Sequence, residues 1–208
     1  MLHHQLIIKE IDNLFNTILI DMKSFGAVLP VLPSPVCIIA LDQGQGKPTF
    51  TPIAFAACCN MSPALITLGV NLNHFLNSKL KEDGICAIGI PTTEMYKRVD
   101  ACGQISARKG DKSDRFLTEI KEFDGKDVFI MPECPMNIVA KVVSHTDHKT
   151  NTLFVLEVLE VLANENILVD GKPDLGTADP LLFSFDGPNY YKLGEKMPLK
   201  PWEAGRGL

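Results

Sequence analysis

What most restricts the fold of this chain is how its apolar residues are broken up. They fall in short runs, each stopped by a proline or glycine cluster, and helical stripes do not alternate with them. Pro30, Pro33 and Pro35 forbid a helix and lead in extended form to Val36-Cys-Ile-Ile-Ala-Leu41, a run that reads as a buried strand. Asp42 to Pro48 is a turn cluster. Its Gly44 and Gly46 form a G-x-G, but Pro48 and an extended segment follow where a dinucleotide fingerprint needs a helix, so a hairpin is expected. Thr51 to Cys59 and Ala64 to Val70 give two more strands around the turn Asn60-Met-Ser-Pro63. Ile85 to Ile90, Val128 to Met131, Met136 to Val143, Thr152 to Leu162 and Leu181 to Phe185 add further strands.

Helical signals are fewer. Asn71 or Asn73 caps a helix to about Glu82, with Leu72, Phe75, Leu76 and Leu80 on one face and Asp83-Gly84 as the stop. Thr92 or Thr93 with Glu94 opens a second helix running to Cys102-Gly103. Asp111 to Glu122 reads as a third, and the polar loop Gln104 to Gly110 lies between them. Strands outnumber helices and no run of βα units occurs, which argues for a mainly antiparallel sheet closed into a barrel with helices inserted in its connections. Residues 1–21 carry the stripe Ile7, Ile11, Leu14, Phe15, Ile18, Met22 of an amphipathic helix. Lys9, Glu10, Asp12 and Asn13 interrupt the apolar stretch a signal peptide needs.

Composition narrows the function. A chain of 208 residues with 46% apolar content supplies one core, and a formal charge of −5 lacks the basic excess that a phosphate backbone attracts, so nucleic acid is not expected as a partner. No apolar run is long enough to span a bilayer as a helix; a soluble, cytoplasmic protein with no membrane partner is expected. The cysteines at 37, 58, 59, 86, 102 and 134 form no C-x-x-C, so free thiols are expected and no metal site.

Little in the sequence speaks for acid–base chemistry. His145-Thr-Asp-His148 falls in an expected hairpin turn, His3 and His4 sit at the chain end, and His74 stands alone at a helix start, so no catalytic residue is assigned. Thr51 to Asn60 is more informative. Its small side chains let a flat aromatic ligand approach strand backbone, although a tightly packed barrel interior has the same composition. The helix start at Asn71 to Phe75 offers free N–H groups to a phosphate. Gly103, Ser106, Arg108, Lys109 and Lys112 gather backbone, hydroxyl and cationic donors in one loop, which reads either as an anion site or as a solvated loop.

The order of these pieces is specific. Pro33-Ser-Pro35, Gly46-Lys-Pro48, Thr51-Pro-Ile-Ala-Phe55 and Ser62-Pro63 come first. Asp100-Ala-Cys-Gly-Gln-Ile-Ser106-Ala-Arg-Lys-Gly-Asp111-Lys112, Pro132-Glu-Cys-Pro-Met-Asn137, the strand from Asn151 to Val158, and Tyr190-Tyr-Lys-Leu-Gly-Glu-Lys196 follow. In this the chain resembles the flavin reductase-like, flavoredoxin-type family of FMN-binding split barrels, from about Met22 to Met197.

The resemblance implies a six-stranded antiparallel Greek-key split β-barrel with inserted α-helices, over residues 22–208, preceded by the 1–21 helical extension. It implies a homodimer that holds FMN against residues Ile53, Ala54, Phe55, Ala56, Ala57, Cys58, Cys59 and Asn60. The phosphate would lie by Asn71 and His74, with Ser106, Arg108 and Lys112. Many members carry Trp at Phe55, Arg at Asn71 and a hydroxyl residue at His74, so this chain departs from the pattern where the phosphate is expected. The implied activity is that of an oxidoreductase passing electrons from NADH or NADPH through FMN to free flavin, iron or a redox partner protein. Two other roles remain: an electron-transfer flavoprotein that does not use pyridine nucleotide, and a barrel that has lost its flavin.

Overall fold

The computed structural model describes residues 22–197; the helical reading of residues 1–21 falls outside them. The chain divides into a unit Met1–Pro30 and a unit Val31–Leu208. In the first, residues 22–30 have no regular secondary structure, and everything below concerns the second.

Its strands are β1 (Ser34–Pro35), β2 (Cys37–Gly44), β3 (Lys47–Ile53), β4 (Ala56–Met61), β5 (Ala64–Asn71), β6 (Ile85–Ile90), β7 (Glu119–Phe123), β8 (Lys126–Ile130), β9 (Met136–Asp147), β10 (Asn151–Ala163), β11 (Leu168–Val169), β12 (Lys172–Pro173), β13 (Leu182–Ser184) and β14 (Asn189–Tyr191). Among them lie the helices α1 (Phe75–Asp83), α2 (Tyr96–Gln104) and α3 (Leu175–Ala178). The main sheet is antiparallel, in the order β3-β2-β6-β9-β10-β5-β4.

That order closes on itself. β3 and β4 lie at opposite ends of it, yet only Ala54 and Phe55 separate them in the chain. They form one bent strand crossing from one edge to the other, and at the crossing Gly69 N–H donates to the Phe55 carbonyl at 2.8 Å. Counted this way the seven segments make six barrel strands, the number the family resemblance implies. Closure removes the open edges that an exposed sheet would present.

β2 shows why its apolar run is unbroken. Val36, Ile38 and Ala40 point into one core with Phe50, Val99, Phe129 and Leu181. Cys37, Ile39 and Leu41 point into the other, with Leu68, Phe154, Leu156 and the α1 residues Leu76 and Leu80. Alternate residues of a strand face opposite ways, so a strand covered on both sides must be apolar throughout.

The β2–β3 hairpin turns at Gln45 and Gly46, with φ of 60° and 71°, between the partners Gly44 and Lys47. Two adjacent left-handed residues make the tight turn that matches strand twist. The same device overturns one expectation. In place of a helix over 111–122, the chain forms turns and then β7, which pairs with β8 around Asp124-Gly125 at φ 52° and 72°. The Asp-Gly pair sets a hairpin that outweighs the weak helical spacing before it. β9 also runs on to Asp147, so His145 lies within a strand, 5.7 Å from the Phe154 ring, and only His148 is in the turn.

Candidate functional site

The bent strand places the site. Beside its crossing point opens a cleft of about 340 Å³, walled by Val36, Pro52, Ile53, Ala54, Phe55 and Gly69 on one side of the barrel seam and by Phe183, Phe185 and Tyr190 from the C-terminal strands. Asn71, His74 and Asn151 line its remaining side. The aromatic walls brace one another. Phe55 and Phe185 stack at 5.2 Å, Phe183 meets Phe185 edge-on at 4.9 Å, and Tyr190 lies 5.6 Å from Phe183. Tyr190 also donates its hydroxyl to Asp100 at 3.1 Å; burial, with Asp100 beside it, pushes its pKa up to about 12. Gly69 lets the strands approach closely here, because a Cβ at that position would lie 3.0 Å from Phe55 Cβ and press on that side chain.

A second recess of about 250 Å³ adjoins this cleft, sharing Pro52 and His74 with it. Thr51, Asn73, Phe75, Cys102, Ser106, Ala107 and Lys112 line it, so it is built from the start of α1 and the loop after α2. α1 is fixed by the buried Asn77, whose amide Nδ2 donates to the Val70 carbonyl at 3.1 Å and to Thr152 Oγ1 at 2.8 Å. The loop is pinned by Gln43 Nε2 donating to the Ala107 carbonyl at 2.6 Å and by Arg108 Nη1 donating to the Asn73 carbonyl at 3.0 Å. Asn71 Oδ1 accepts from Asn73 N–H at 2.9 Å and shapes the turn into the helix.

The dominant charge in the recess is Lys112. It is 2% exposed, and its Nζ donates to the Cys102 carbonyl at 3.1 Å. No carboxylate lines either cavity, and its neighbour Asp111 is paired outward with Lys47 at 3.6 Å. Burial without a counter-charge lowers the Lys112 pKa, and it lowers that of His74 in the same way, with Lys112 adding repulsion. Such a recess could hold an anion, since a buried ammonium is costly until it is paired.

The expected site residues therefore separate into groups. Ile53, Ala54, Phe55, Asn71 and His74 line the cleft, while His74, Ser106 and Lys112 line the recess. Arg108 joins the loop to the helix start. Ala56, Ala57, Cys58, Cys59 and Asn60 lie along β4 beyond the cleft, and from Ala57 onward they are exposed. Phe183 and Phe185 carry no signal of a site in the sequence beyond their alternation around Ser184, whereas Asn151 opens the strand on which the family likeness partly rests, at a place where members carry His. Tyr190 stands in the Tyr-Tyr pair near the C-terminal end of the likeness. All six cysteines are free, and burial pushes the thiols of Cys37, Cys86 and Cys134 up to about 12. Among the described residues no group of His, Cys, Asp or Glu is placed to hold a metal, and no helix is long and apolar enough to cross a membrane.

An antiparallel split barrel with an aromatic cleft that runs into a cationic recess belongs to a definite class, the split barrels of the flavin reductase type. The chain is a member of the flavin reductase-like domain family, which it matches over residues 29–190. The crystal structure of a flavoredoxin from Methanosarcina acetivorans is similar, with a TM-score of 0.80 and 28% identity, covering 89% of this chain and 97% of that one. So is the flavoredoxin of Desulfovibrio vulgaris, with a TM-score of 0.80 and 26% identity, covering 89% of this chain and all of the other. An uncharacterized protein of Archaeoglobus fulgidus is 28% identical over 156 residues, which is 75% of this chain and 87% of that protein.

Proposed function

We propose that this protein binds FMN and works as an oxidoreductase of the flavin reductase type, passing electrons from NADH or NADPH to free flavin, iron or a protein acceptor. The observation that carries this reading is the pairing of an aromatic, largely apolar cleft with a buried, unneutralised ammonium next to it. A ligand that satisfies both needs a planar ring system and an anionic tail, and FMN has both. Phe55, Phe183, Phe185 and Ile53 would cover the ring and keep water from it, while Lys112, Ser106 and the N–H groups at the start of α1 would hold the phosphate. When bound, the flavin supplies hydride and single-electron chemistry; the protein supplies position and a dry wall. Direct hydride transfer between stacked rings needs no acid or base.

The likeness to two flavoredoxins favours a second reading, in which the bound flavin exchanges electrons with a protein donor and not with pyridine nucleotide. One experiment separates the two. The purified protein, supplied with FMN, is expected to show flavin absorption between about 350 and 500 nm that bleaches under anaerobic NADH or NADPH. Flavin that stays oxidised under both nucleotides selects the second reading, and absence of any bound flavin after FMN addition rejects both.

A further inference from the structure

We propose that His74 takes up a proton when the phosphate of FMN enters the recess, so that this chain holds the phosphorylated flavin more tightly as pH falls. The inference rests on the FMN reading above and deepens it. His74 lines both cavities, at the place where the aromatic cleft passes into the recess. It is also the N-cap of α1, yet its side chain makes no capping hydrogen bond, so the imidazole is not committed to the helix.

The charged group that lines the recess with it is a cation. Lys112 comes from the loop after α2, and Arg108 from the same loop bonds the carbonyl of the preceding residue, Asn73. The first turn of α1 carries no acid. The strands and turns around it contribute Thr51, Pro52, Asn71 and Asn151, all neutral. In the ligand-free chain these surroundings disfavour imidazolium, and partial burial and Lys112 together lower the His74 pKa below its ordinary 6.5. A phosphate dianion in the recess reverses the local field, because an opposite charge a few ångströms away favours the charged ring.

Binding and proton uptake are then linked. Between the lowered pKa of the free chain and the raised one of the complex, and above the second ionisation of the flavin phosphate at about 6, each FMN bound brings with it up to one proton. Affinity falls by about tenfold for each unit of rising pH in that window. Riboflavin has the same ring but no phosphate, and it escapes the effect.

The test uses the full chain and its His74→Gln variant. Dissociation constants for FMN and riboflavin are measured by flavin fluorescence across neutral pH, and calorimetry in two buffers of different ionisation enthalpy gives the protons taken up. The expected result is a tenfold-per-unit slope and proton uptake for FMN with the parent chain, and neither for riboflavin or for His74→Gln. FMN binding by the parent chain with no proton uptake in that window overturns the inference, whatever the variant does. An equal slope in parent and variant overturns it as well. If neither FMN nor riboflavin binds the parent chain at any pH, the FMN reading itself fails, an outcome distinct from the other two.

Discussion

At the scale of single residues, Lys112 is where stability and function oppose each other. An ammonium that is 2% exposed, with no carboxylate in the cavity it faces, costs the ligand-free fold free energy. Its pKa lies below the ordinary 10.5 in the folded chain, so between those two values the unfolded chain binds more protons and stability rises with pH. Lys112→Met is expected to remove that rise, while at neutral pH relief of the buried charge and loss of the donor to the Cys102 carbonyl, each about 1 kcal/mol, offset one another. The same variant should bind FMN more weakly while binding of riboflavin changes little. Thermal melts with and without FMN check both halves. Much of this site was legible: Lys112, Ser106 and Arg108 stand out as local positive and hydroxyl donors in an acidic chain. That Lys112 turns inward was not, because a lysine in a polar loop carries no mark of its burial.

At the scale of elements, turn chemistry decided more than periodicity. Gly44 to Gly46 form the hairpin their spacing predicts, whereas the helical spacing over 111–122 gives way to the hairpin set by Asp124-Gly125. Both loops place consecutive residues at positive φ, which costs a side-chain-bearing residue about 1–2 kcal/mol. Gly125→Val is therefore expected to lower stability by about that amount. FMN binding should be unaffected, since β7 and β8 do not line the cleft. Chemical denaturation and a flavin titration of the variant check the two parts. The bend between β3 and β4 is an element-scale feature that the small residues before Asn60 hint at, but its partner Gly69 lies on another strand and is invisible as such in the sequence.

For the whole molecule, the resemblance implies two copies, and we propose that the chain is a homodimer. Met61 on β4 and Val143, Leu153 and Val161 on β9 and β10 are exposed, with Met61 95% accessible. Sedimentation of the parent chain is expected to give twice the monomer mass, and the double variant Met61→Glu, Leu153→Glu is expected to shift it toward monomer. A parent chain that sediments as monomer at all concentrations would set the dimer aside.

The sequence by itself determined the strand-dominated order, the hairpin at Gln45-Gly46, the helices at Phe75 and Tyr96, and the family likeness, because turn residues and period-two apolar runs act over a few neighbours in the chain. Only the tertiary structure decided that Phe55 meets Phe185, that Gly69 closes the seam, and that Lys112 is buried against the Cys102 carbonyl. Those pairings depend on strand order and barrel closure, which bring together side chains from distant parts of the chain. No local pattern specifies them.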